Sequence, residues 1–142
     1  MSTEENKAIG RRLAEEFVLK GNLAVADEIC ATDFVNHSPD LGTMPDREGL
    51  KQYVSMMLSA FPDYHGTVEH LIAEGDKVVV GGTFTGTHKG EIMGIPPTGK
   101  QITASAISIL RIAGGKVVER WNITDRLGVM QQLGVIPTHE QG

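Results

Sequence analysis

Cysteine is all but missing from this 142-residue chain. Cys30 stands alone, so no disulfide can close within it, and the chain fits a reducing compartment. Charge of one sign is never concentrated either. The 13 Lys and Arg are set against 18 Asp and Glu without a run of either. A nucleic-acid binder needs a clustered basic face, so that class is excluded. No apolar run approaches the ~18 residues of a membrane span, and the first thirty residues lack a charged-then-apolar leader pattern. Repeats, linkers and low-complexity stretches are missing too. The expectation is one soluble cytoplasmic domain over residues 1–142, long enough to bury roughly 68–70% of its unfolded surface.

What is present falls into two halves with different periods. Residues 1–20 repeat apolar side chains at helical spacing through Ile9, Leu13 and Phe17, with Ser2 or Thr3 as cap and Glu5 in the first turn. Gly21 ends that helix. A short second helix is expected from Leu23 to Cys30, and a strand over residues 32–37 is stopped by Ser38-Pro39. A third helix over about residues 47–61 presents Leu50, Tyr53, Val54, Met57 and Leu58 on one face. From Asp63 onward the period is two. Strands are expected over 64–72, 77–87, 101–112 and 116–125, with tight turns at Glu74-Gly75-Asp76 and Ala113-Gly114-Gly115. Residues 90–99 form a loop, and a last helix spans about 126–133. Gly81-Gly82 inside a strand marks a bulge or bend. Helices first and an antiparallel meander after them define an α+β domain. Its expected shape is a cone, a curved antiparallel sheet wrapped around the N-terminal helices.

The chemistry is concentrated in residues 121–130, Trp-Asn-Ile-Thr-Asp-Arg-Leu-Gly-Val-Met. Residues two apart on a strand share a face, so Val117, Trp121, Ile123 and Asp125 point the same way, which sets a carboxylate beside an indole on an apolar surface. Such a group does chemistry or has a structural partner. The plainer role of Asp125 is as N-cap of the last helix. Asn36 and His37 end the first strand on opposite faces, where an amide holds a substrate oxygen or an imidazole relays a proton; turn formation at Asn-His-Ser-Pro is the alternative. Ser108 shares a small, apolar face with Ala104, Ala106, Leu110 and Ile112, suited to a cavity wall, and no triad surrounds it. Trp121 reads as wall and core at once. His88 follows Phe84 by four residues, on the same face. His65, His70 and His88 have no metal-ligand spacing, so no metal site is expected, and His139 lies in a polar tail. Met44, Met56, Met57 and Met93 serve as pocket lining or as core.

These pieces together resemble the SnoaL-like polyketide cyclases of the nuclear transport factor 2-like superfamily. The resemblance rests on Asp33-Phe-Val-Asn-His37, Gly94-Ile-Pro-Pro-Thr-Gly99, Leu110-Arg-Ile-Ala-Gly-Gly-Lys-Val-Val-Glu119 and Trp121-x3-Asp125-x2-Gly128-x3-Gln132-Leu-Gly134. It extends over about residues 5–137. It implies an enzyme without cofactor that closes a ring by intramolecular aldol condensation on a polyketide ester. Asp125 falls on the family's catalytic aspartate and Asn36 on its pocket asparagine. Ser108 stands where characterised cyclases carry histidine.

The resulting expectation is Asp125 as the base that removes an α-proton, with Asn36, His37, Ser108, Trp121 and His88 contacting a small hydrophobic or aromatic ligand. Two other functions fit the same scaffold: a non-catalytic small-molecule binding protein, and an isomerase or epoxide hydrolase of ketosteroid-isomerase type. The alternate face of the strand at 101–112, with Thr103, Ser105, Ile107 and Ile109, also needs cover. A homodimer or larger homo-oligomer is the expectation.

Overall fold

The computed structural model describes residues 2–137. Its first helix, α1 (Thr3–Arg12), begins at a reciprocal cap in which Ser2 Oγ accepts from the Glu5 N–H and Glu5 Oε1 accepts from the Ser2 N–H. At Leu13 the helix widens into a π-helical segment, Leu13–Leu19, that ends beside Gly21 at φ +73°. Then follow α2 (Ala24–Ile29), β1 (Cys30–Asn36), α3 (Arg47–Ala60), β2 (His65–Glu74), β3 (Lys77–Thr87), β4 (Gln101–Ala113), β5 (Lys116–Thr124) and α4 (Arg126–Gln132). Asp46 caps α3 through the Gly49 N–H, 2.8 Å from its Oδ1. Among the described residues no helix is long and apolar enough to cross a membrane. His139 lies outside them.

The strands form one sheet in the order β1-β5-β4-β3-β2. β2 to β5 are the expected antiparallel meander, while β1 lies parallel to β5, so the sheet is mixed. The helices cover its inner face. Leu13 and Phe17 pack with Leu50, Val54, Val78 and Leu110 in one core cluster. Phe61, Phe84, Ile102 and Leu133 centre a second one. Burial of these apolar faces drives the helices onto the sheet, at ~25 cal/mol per Å² of apolar surface.

Register slips in β2 and β5 decide which residues of those strands face inward. In β2 the register slips between Val68 and His70, which leaves Glu69 without a partner opposite Gly81-Gly82. In β5 it slips again. Arg111 pairs with Glu119 and Ile112 with Val117, so Val118 is the extra residue. One extra residue exchanges the faces of everything after it. Val117 is buried, but beyond the bulge Arg120, Asn122 and Thr124 point inward and Trp121 and Ile123 point out. Of the expected common face, Val117 is therefore split off inward, while Trp121, Ile123 and Asp125 stay together along an outer groove.

Candidate active site

A cavity of about 90 Å³ lies between the sheet and the N-terminal helix. Its roof is the π-helical segment, through Leu13, Ala14, Val18 and Leu19. Its floor is the inner face of β3, β4 and β5, with Phe84, Ala106 and Leu110. π-Helical insertions recur at functional sites because the wider turn displaces side chains from the helical rows.

The polar end of this apolar space is built from Tyr53 of α3, Tyr64, Ser108 of β4, and Arg120 and Asn122 of β5. Ser108 Oγ donates to Asn122 Oδ1 at 2.6 Å, and Asn122 Nδ2 donates to Thr124 Oγ1 at 3.0 Å. The two residues are direct cross-strand partners. Ser38 Oγ accepts from the Asn122 backbone N–H at 2.9 Å, which ties the chain after β1 to the same spot. Arg120 is 6% exposed. Burial pulls its pKa below the ordinary arginine value, with Tyr53, Cys30 and Tyr64 acting the other way. Burial in turn pushes both phenols up, and the Cys30 thiol up to about 11. Those phenols are therefore donors at neutral pH.

The structure separates the residues that the sequence pointed to. Asn36 is buried and faces inward, where its Oδ1 accepts from the Ser38 N–H at 3.1 Å and from Arg120 Nη1 at 3.5 Å. Ser108 lines the cavity. His37 and Trp121 lie together on the opposite, outer face, stacked with ring centroids 4.7 Å apart. His37 Nε2 is 3.2 Å from Glu119 Oε2. Arg111 holds the Glu119 carboxyl below its ordinary range, burial pushes it back, and His37 adds a smaller lowering. The bulge at Val118 sends Trp121 there.

Asp125 does not line the cavity. It is exposed, caps α4 by accepting the Gly128 N–H at 3.0 Å, and borders an outer groove with Trp121, Ile123 and Ser105. His88 is a correction of another kind. It is fully buried beside Phe61, its Nδ1 accepts from the Thr98 N–H at 3.2 Å, and its backbone bonds Lys100 and Gly99. It anchors the 90–99 loop and does not line the cavity.

Sequence reasoning missed Arg120, Asn122 and Tyr64, and named Tyr53 only as part of a helix face. The alternation of β5 read without a bulge assigns Arg120 and Asn122 to solvent. The adjacent Val117-Val118 pair is the one signal of a phase change.

A curved mixed sheet with helices on one face, enclosing an apolar cavity with a polar end, defines the α+β domain. A family model described as SnoaL-like polyketide cyclase matches residues 8–133, and the chain belongs to that family. Among solved structures, AclR from Streptomyces galilaeus, a candidate hydroxylase, superimposes with a TM-score of 0.85 at 29% identity over 99% of this chain and 87% of that one. IdmH from Streptomyces antibioticus, a candidate polyketide cyclase, gives 0.79 at 32% identity over 92% of this chain and 99% of its own. The aklanonic acid methyl ester cyclase DnrD of Streptomyces peucetius is 37% identical over 49 residues, 34% of this chain and 34% of its own length. The match thus spans about a third of that curated relative.

Proposed function

We propose that this protein is a cyclase-type enzyme that binds a polyketide-like keto ester in the interior cavity and holds its enolate for intramolecular aldol closure. The observation that carries the reading is the cavity itself: apolar walls under the π-helical segment and a cross-strand Ser108–Asn122 pair with two phenols at one end. Donors fixed around a developing oxyanion in a dry site are the largest common contribution to such chemistry. Membership of the cyclase family and the likeness to IdmH support it.

Among the described residues no Asp, Glu or His lines this cavity. In this reading the side chains orient the ketone and stabilise the enolate, and the α-proton passes to water. The same observation favours one other reading, a binding protein that keeps the cavity without the chemistry. Deuterium exchange at the α-carbon of a β-keto ester, followed by proton NMR, separates the two. An enzyme accelerates exchange and then forms the ring. Saturable binding with no exchange above the buffer rate refutes the cyclase and leaves the binding protein.

The role of Asp125 has its own test. As a cap alone, Asp125→Ala is expected to lower unfolding free energy by about 0.5–2 kcal/mol and to leave α-proton exchange within about threefold of wild type. Denaturant unfolding and the exchange assay read the two effects. Loss of exchange in a folded variant would make Asp125 the base.

The outer face supports a homodimer. Ile107 and Ile123 are 54 and 79% exposed and line a groove with Trp121 and Ile109, and Ile72 is 60% exposed. Contiguous apolar surface of this kind is unusual on a monomer. Ile123→Glu is expected to shift the mass measured by light scattering from dimer to monomer. An unchanged mass would place the interface elsewhere.

A further inference from the structure

Arg120 is the cavity's unexplained residue. It is a buried guanidinium on a strand between apolar layers, and among the described residues it forms no ion pair. Its one side-chain hydrogen bond there is Nη1 to Asn36 Oδ1, and 3.5 Å is the outer limit for such a contact. The neighbours that act on its charge are Tyr53, Cys30 and Tyr64, none of them an anion at neutral pH. Other arginines of α1 and β4 reach carboxylates instead, as Arg12 does with Glu28 and Arg111 with Glu119. A cation taken out of water without a counter-ion is costly, and the fork of a guanidinium matches a planar carboxylate through two parallel bonds.

We propose that Arg120 is the anchor for a free carboxylate on the ligand, separate from the reacting keto ester, so that the cavity prefers a ligand with this group free over the same ligand with it esterified or amidated. The assignment rests on the interior cavity being the ligand site of the proposed cyclase, and it names a group the substrate carries besides the reacting ketone. Tyr53 and Tyr64 supply phenolic donors beside the guanidinium. The leucine and valine side chains of the π-helical segment cover the apolar body. The Ser108–Asn122 pair remains for the ketone.

The test uses the full chain with isovalerate and methyl isovalerate, titrated against the protein and followed by its amide NMR shifts. Isovalerate is expected to bind about 10- to 100-fold more tightly than its ester, the range for a hydrogen bond to a charged group. Arg120→Met is expected to remove that preference, so that acid and ester bind alike. Arg120→Lys keeps the charge without the fork and should retain part of it. The wild-type comparison needs no variant, so a poorly folding Arg120→Met does not remove the test. Equal affinity of acid and ester in the wild type overturns the inference. If a β-keto ester still exchanges its α-proton in that case, the cyclase reading survives. If neither compound binds and no exchange occurs, both fall.

Discussion

Phe17→Ala is expected to lower the unfolding free energy by about 3–5 kcal/mol, the range for deleting a fully buried aromatic ring. For a domain of this size that shifts the thermal midpoint by roughly 10–15 °C. Phe17 is completely buried in the π-helical segment, within the cluster that joins Leu13, Leu50, Val54 and Leu110. Three features make the site costly. The ring is large, so the lost transfer term is large. The sheet beneath it is held by ladders on both sides and collapses little into the void. The π-helical segment is already wider than an α-helix, and its end is closed by the Gly21 N–H on the Phe17 carbonyl at 2.9 Å. Phe17→Leu keeps most of the volume and should lose less than half as much. Because neighbouring Leu13, Ala14 and Val18 roof the cavity, Phe17→Ala is also expected to weaken cavity ligands, measured alongside the melt. A loss of under about 1 kcal/mol would show that the roof repacks freely, against the rigidity argued here.

The order of elements was legible because its signals are local. The Ser2–Glu5 cap, the apolar spacing of α3 and the Gly114-Gly115 turn each act within a few residues, and each stands where expected. The parallel placement of β1 was not legible, since it depends on a pairing between residues some 85 apart, such as Asn36 with Arg120. The facing of β5 was not legible for a more specific reason. Alternation gives the phase of a strand only when one face is apolar and the other polar. On β5 the outer positions are Trp121 and Ile123 and the inner ones are Arg120 and Asn122, so hydrophobicity pointed to the wrong face. That inversion has two causes, both physical: an outer surface that is itself apolar and a cavity that needs polar groups. The extra Val118 makes it possible, and a bulge is a property of two strands, absent from either alone. Ser108 escaped the error because β4 keeps its alternation from Ile102 to Leu110. Asp125 was legible in its plainer role, since a cap requires only the residues that follow it.

Gly82→Ala is expected to cost about 1–3 kcal/mol or more, whereas Gly81→Ala beside it should change stability by under about 1 kcal/mol in either direction. Neither glycine needs a left-handed backbone; they differ in what a methyl group would meet. At Gly82 an added Cβ would sit far inside contact distance of the Thr67 carbonyl oxygen and also press on Val68 Cα at 3.3 Å. Both are backbone atoms of β2, and no side-chain rotation relieves them. The β2–β3 ladder would have to part beside the Glu69 bulge, where its register is already interrupted. At Gly81 the nearest atoms are side-chain carbons of His70 and Ile107 at 3.5 Å, ordinary van der Waals contact. Alanine there also narrows the unfolded ensemble, which favours folding. Both positions border the cavity, so the pair separates sheet integrity from cavity shape. Urea unfolding of the two variants, with hydrogen exchange of the β2 amides, is the measurement. Gly82→Ala should raise exchange along β2 selectively and weaken cavity ligands. Equal stability of the two variants would mean that the strands around the bulge yield easily, and that the cavity wall is softer than its backbone contacts imply.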